Sequence, residues 1–227
     1  MIVISGPGRS GTSFLAALYR ELGFDPGGGW RDDIRAGLEA ADVVEINSML
    51  CAEINAPVGP PPRPPLGQQQ WHRVGELADK HGKQLRALAK GRDVAKDPRF
   101  AWTLRIWLEA GAEINHVVMT MRKVEDVIGS AEYAGMRKHP ASTEGLNGSR
   151  SVVIYRMGSL LATVGDYDVP HTVLWFPRYL ADAEALYRQL VFPKHVDRDT
   201  FIEVFERTVN PDFVHFGTEG SASRPTR

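Results

Sequence analysis

Cysteine is almost absent from this 227-residue sequence. A lone Cys51 leaves no intramolecular disulfide framework and no cysteine-based metal cluster, and it points to a reducing compartment. An excess of either charge is missing too: 27 Lys and Arg oppose 28 Asp and Glu. The electrostatic footprint of nucleic-acid binding is therefore lacking. Long apolar runs do not occur, and none approaches the ~18 residues of a membrane span. The apolar start turns into glycine and arginine within a few residues, unlike a secretory leader. The seven histidines are scattered without metal-ligand spacing. These absences describe a cytoplasmic protein with no nucleic-acid partner, no membrane partner and no metal.

The richest stretch is the first twenty-two residues, MIVISGPGRSGTSFLAALYREL. Ile2 to Ile4 reads as a buried strand, and Phe14, Leu15, Leu18 and Leu22 mark one face of a following helix. Between them Gly8-Arg9-Ser10-Gly11-Thr12-Ser13 forms a glycine-bearing turn into a helix N-terminus. Such a turn directs backbone N–H groups and the positive end of the helix dipole at an anion.

Further along, helices are expected over 40–54, 68–90, 100–110, 124–138, 150–164, 178–191 and 200–207, and strands over 92–96, 114–121 and 171–176. The proline-rich APVGPPPRPPLG, 56–67, suits an extended connector or a lid segment. Asn147-Gly148 marks a turn. Alternating strands and helices indicate an α/β fold with a mostly parallel central sheet flanked by helices. A single domain is expected over 1–216, with the polar 217–227 as a disordered tail. Ligands of such sheets lie beyond the carboxyl ends of the strands, where Arg9, Lys96 and Arg122 fall.

Read from Gly6, the loop matches the nucleoside-triphosphate pattern G-x-x-x-x-G-K-[ST] except at one position. Thr12 stands where the lysine belongs, and the cation is moved to Arg9. That argues against an ATP or GTP hydrolase, since the lysine reaches the β- and γ-phosphates.

With this displaced cation the sequence resembles the sulfotransferases that use 3′-phosphoadenosine 5′-phosphosulfate (PAPS). Arg9-Ser10-Gly11-Thr12-Ser13 is similar to that family's phosphosulfate loop, [KR]-[SG]-G-[TS]-[TS]. Arg122 and Ser130, eight residues apart in VVMTMRKVEDVIGS, match its 3′-phosphate pair. Lys96-Asp97-Pro98-Arg99 matches a Lys-Asp-Pro element whose lysine lies near the phosphosulfate. The resemblance implies a P-loop-like three-layer domain and transfer of a sulfuryl group from PAPS to a hydroxyl of a small-molecule acceptor, leaving PAP, without a required metal.

Arg9 and Lys96 are then the catalytic cations, and Arg9, Ser10, Gly11, Thr12, Ser13, Arg122 and Ser130 the donor-binding residues. The histidine used as general base by cytosolic members is missing from PRFAWTLRIW. Carboxylates after the first helix replace it in other branches. Glu39, eight residues before Asn47, is the first candidate here, Asp33 the second, and Asp32 is a further one. His72, His81, His116 and His139 rank lower, and His116, inside an apolar strand, is expected to be a packed core residue. Trp30, Phe100 and Trp102 would line an acceptor pocket or, more simply, fill the core. Two other readings stay open: a small-molecule or nucleotide kinase with an altered loop, and a non-catalytic PAP- or PAPS-binding protein.

Overall fold

The computed structural model describes residues 1–31, 38–54, 68–133 and 150–209. Four parallel strands form the central sheet: β1 (Ile2–Ser5), β4 (Val94–Lys96), β5 (His116–Met121) and β6 (His171–Trp175). Their spatial order is β4-β1-β5-β6. A two-stranded antiparallel ribbon pairs β2 (Trp30–Arg31) with β3 (Glu39–Ala40). The chain runs from the interior strand β1 to β4 on one side, then crosses to β5 on the other. The carboxyl end of β1 is thus the point where strand order reverses, and there the crevice of an α/β sheet opens.

Period-two alternation gives the sheet two apolar faces. Ile2, Ile4, Val94, Val118 and Leu174 pack against α1 (Thr12–Glu21), α7 (Ala183–Gln189) and α8 (Arg198–Thr208). Val3, Ala95, Val117, Met119 and Met121 pack against α2 (Ala41–Glu53), α3 (Gln68–Ala89), α4 (Phe100–Glu109) and α6 (Arg150–Asp166). The remaining helix, α5 (Val124–Tyr133), follows β5 and lies beside α6. Three layers result, with a separate apolar core on each side of the sheet. Phe100 and Trp102, two of the aromatic acceptor-pocket candidates, are both buried in the second core. Cys51 is buried there as well, and burial pushes its thiol up to about 12.

Several expected boundaries shift for local reasons. The single helix expected over 178–191 is two pieces, a 3-10 turn at Arg178–Leu180 and then α7. Asp182 adopts an extended backbone and its carboxylate accepts the Ala185 N–H at 2.8 Å, which starts a new helix. The strand expected from Arg92 starts at Val94, because the Arg92 guanidinium turns to Asp42 on α2 at 3.1 and 2.5 Å. The strand expected from Ile114 starts at His116, and Ala40 belongs to β3 rather than to the helix. The β2–β3 ribbon is too short to leave a periodic signal.

The proline-rich 56–67, Asp32, Asp33, His139, the Asn147-Gly148 turn, helix residues after Tyr133 and the tail lie outside the described residues. No helix among the described residues is long and apolar enough to cross a membrane.

His116 is a packed residue at the β5–β6 pair, with its Nε2 2.9 Å from Thr172 Oγ1. Burial, with His171 adding to it, lowers its pKa from the ordinary 6.5. The folded chain therefore favours the neutral ring, and the unfolded chain binds more protons as pH falls below about 6.5. Stability is present above that value and is lost on acidification through the folded pKa. The melting temperature of the protein should fall between about pH 7.5 and pH 5.5, and His116→Asn should reduce that fall, as thermal unfolding at the two values would show.

Candidate functional site

Two glycines make the loop after β1 possible. A Cβ on Gly6 would stand 2.4 Å from the Thr120 carbonyl oxygen of β5. Gly11 has φ 91°, and a Cβ there would meet Phe176 and Tyr179 at 2.3 Å. Between them Ser10 Oγ donates to the Pro7 carbonyl at 2.5 Å and lies 2.7 Å from Thr120 Oγ1. The Tyr179 hydroxyl donates to the Gly11 carbonyl at 3.0 Å. Gly11 is the N-cap residue of α1, and no side chain caps that end. Thr12 and Ser13 open the helix. A helix N-terminus without a side-chain cap, reached through a tight glycine turn, is suited to an anion.

Arg9 takes φ 68°, a left-handed conformation that costs a non-glycine residue of order 1–3 kcal/mol. Its surroundings hold it there. Arg122, at the end of β5, donates to the Arg9 carbonyl at 3.0 Å, while Arg9 Nε donates to Ser130 Oγ on α5 at 3.0 Å. The Arg122 guanidinium also lies over the Phe176 ring, 4.9 Å from its centroid, and Asp126 approaches it at 4.0 Å. Burial lowers the pKa of both arginines. Three residues separated by up to 121 positions thus form one contiguous group on the β5 side of the loop.

The β4 side is built differently. Lys96, 1% exposed, donates to Glu39 Oε1 at 3.1 Å, and Glu39 comes from the short strand β3. Arg99 lies 3.6 Å from the other Glu39 oxygen and 3.0 Å from Asp97 Oδ1. Asp97 is fully buried. It accepts the Arg99 N–H at 2.9 Å and the Asn47 side-chain amide at 3.0 Å, and its own carbonyl accepts the Ser5 hydroxyl at 3.1 Å. Asn47 Oδ1 in turn accepts from Thr103 at 2.7 Å and from the Trp107 indole at 2.9 Å. Burial pushes the Asp97 carboxyl up, the Arg99 guanidinium opposes this, and the Glu39 charge adds to it.

One further cation escaped the sequence reading. Arg156 of α6 is 8% exposed, and its guanidinium lies over the Trp102 ring, 5.7 Å from the centroid. Its Nη1 lies 3.9 Å from the place a Cβ on Gly8 would occupy, at the loop. Burial pushes its pKa down to about 10, which leaves it charged at neutral pH. The signal was present: Val152, Arg156, Leu160 and Val164 recur every four residues, so the arginine occupies a core-facing position of an apolar stripe.

The structure therefore gathers Arg9, Ser10, Gly11, Arg122 and Ser130 on and beside the loop, and Lys96 with Glu39 on its other flank. His81 bonds Glu53 and His116 bonds Thr172, and neither is bonded to this group. Among the described residues five cations (Arg9, Lys96, Arg99, Arg122 and Arg156) stand around the loop against the carboxylates Glu39, Asp97 and Asp126. The positive excess suits an anionic ligand with more than one charged group. Among the described residues no group of three His, Cys, Asp or Glu side chains is placed to hold a metal ion.

Comparison of the chain with models of known families, with curated proteins and with solved structures gave no match. What this chain defines by itself is an α/β protein with a four-stranded parallel sheet and a glycine loop entering a helix N-terminus at its strand-order reversal.

Asn47 joins α2, β4 and α4 through three buried partners. Asn47→Ala should leave Asp97, Thr103 and Trp107 each short of a partner and destabilise the protein by about 2–4 kcal/mol, measured by urea unfolding.

Proposed function

We propose that the protein is a PAPS-dependent sulfotransferase with a P-loop-like fold that sulfates a hydroxyl of a small-molecule acceptor. The observation that carries this reading is the direct contact of Arg9 with Ser130, together with that of Arg122 with the Arg9 carbonyl. The displaced loop cation and the strand-end Arg–Ser pair stand together, as a nucleotide with both a 5′-phosphosulfate and a 3′-phosphate would require.

In this reading the N-terminus of α1 and Arg9 hold the phosphosulfate, and Arg122 with Ser130 holds the 3′-phosphate. Lys96 is paired in register with Ile4, two residues before Gly6, and stands beside the bridging oxygen on which charge develops. Glu39, ion-paired to Lys96, takes the acceptor's hydroxyl proton. The freed oxygen pair forms the new O–S bond as the S–O bond to the 5′-phosphate breaks, and that bonding pair leaves on PAP. Lys96 then serves both ends of the displacement: it orders the base while it faces the leaving oxygen. The in-line geometry and fixed cations supply the rate, as in phosphoryl transfer.

PAP at a hundredfold excess over its Kd should stabilise the protein by about 2.7 kcal/mol, with no comparable effect from ATP and Mg²⁺, as read by thermal shift. Stabilisation by ATP and Mg²⁺ alone would favour a kinase. Labelled sulfate from PAPS should appear on one member of a panel of alcohols, phenols and sugars. Glu39→Gln should lower that turnover by about 10²–10⁴-fold while PAP binding persists. If Glu39→Gln keeps near-normal turnover and Asp33→Asn loses it, the base is Asp33. Arg122→Ala should chiefly weaken PAP binding, and unchanged binding would remove the 3′-phosphate assignment.

A further inference from the structure

The buried arginine of α6 belongs to none of the three sequence elements above, yet it reaches the loop. α1 packs in the layer with α7 and α8, whereas α6 packs in the opposite layer with α4. Arg156 therefore approaches Gly8 across the carboxyl edge of the sheet, from the side away from the helix whose N-terminus forms the cradle. The charges of Asp97 and Arg99 both act on it. Trp102, itself stacked on Tyr155 at 5.0 Å, supports the guanidinium from behind.

The charges decide what such a group meets. Lys96 and Arg99 face Glu39 and Asp97, and Arg122 is bonded to the Arg9 carbonyl with Asp126 nearby. PAPS carries about four negative charges, two on the monoester phosphate and two on the phosphosulfate. Among the described residues five cations against three carboxylates leave an excess of two, below the donor's own charge of about four, so Arg156 counts toward the donor.

We infer that Arg156 is a further catalytic residue, a cation that holds the sulfonate being transferred from the face opposite the α1 N-terminus. This rests on the proposed PAPS reading. The sulfonate is the one group that distinguishes PAPS from PAP, so a cation directed at it has a signature that an adenosine or 3′-phosphate contact lacks.

The test is calorimetric titration of the full chain and two variants, Arg156→Met and Arg156→Lys, with PAP and separately with PAPS in the cold without acceptor. Methionine replaces a buried charge by an apolar side chain of similar reach that still packs on Trp102, so folding should persist. Arg156→Met should leave PAP affinity within about threefold of the unchanged protein and weaken PAPS about tenfold or more, consistent with loss of a charge-assisted hydrogen bond. Arg156→Lys should recover part of the difference. Equal weakening toward both nucleotides would make Arg156 a phosphate or structural contact and overturn the inference, as would unchanged affinity for both. If the unchanged protein binds both nucleotides and only the variant result fails, the inference about Arg156 alone falls. If the unchanged protein binds neither, the PAPS reading falls with it.

Discussion

A fully buried carboxylate, Asp97, is the constraint on which the site depends. Burial of a charge is tolerated only when hydrogen bonds and counter-charge replace water. Here Arg99 and the Asn47 amide supply them, and each partner comes from a different element. The residue's own carbonyl and N–H tie to Ser5 and Ile4 of β1. The segment after β4 is thereby held against the start of the glycine loop. Lys96, immediately before it, has little choice of position. The network that satisfies Asp97 also fixes the buried Lys96–Glu39 pair.

On the other side of β1 the same economy recurs with backbone strain in place of a buried charge. Arg9 occupies a left-handed conformation, and its carbonyl is held by Arg122 while its side chain rests on Ser130. The Cβ clashes that Gly6 and Gly11 avoid show how closely the loop is pressed against β5 and the segment after β6. In the proposed transfer, donors fixed in this way would be those most effective at stabilising developing charge. The two flanks differ in kind: one is a salt-bridged carboxylate group, the other an arginine–serine group that Asp126 approaches at 4.0 Å.

Much of this was legible in the chain. The glycine loop, the strand-end residues Lys96 and Arg122 and the spacing to Ser130 are local patterns, and local patterns survive in sequence. The elements that carry them are long or strongly apolar, so their existence was clear, while ends moved wherever a side chain found a better partner, as Arg92 did with Asp42. The break at Asp182 was written in a capping residue inside an otherwise helical pattern. Glu39 was a candidate by spacing, but only the β2–β3 ribbon shows why it meets Lys96. Arg156 was passed over because its helix lies far along the chain and its role depends on which helix packs opposite α1. Contacts between layers have no sequence spacing to betray them.

The single cysteine gives this architecture a use unrelated to catalysis. Cys51 is buried among the helices of one layer, and its thiol is pushed up to about 12, so the folded chain holds almost no thiolate at neutral pH. A disulfide reagent can reach it only when α2 lifts away from the sheet. Because α2 also supplies Asn47 to the Asp97 network, the labelling rate of one native atom becomes a clock for local opening of the framework beneath Lys96.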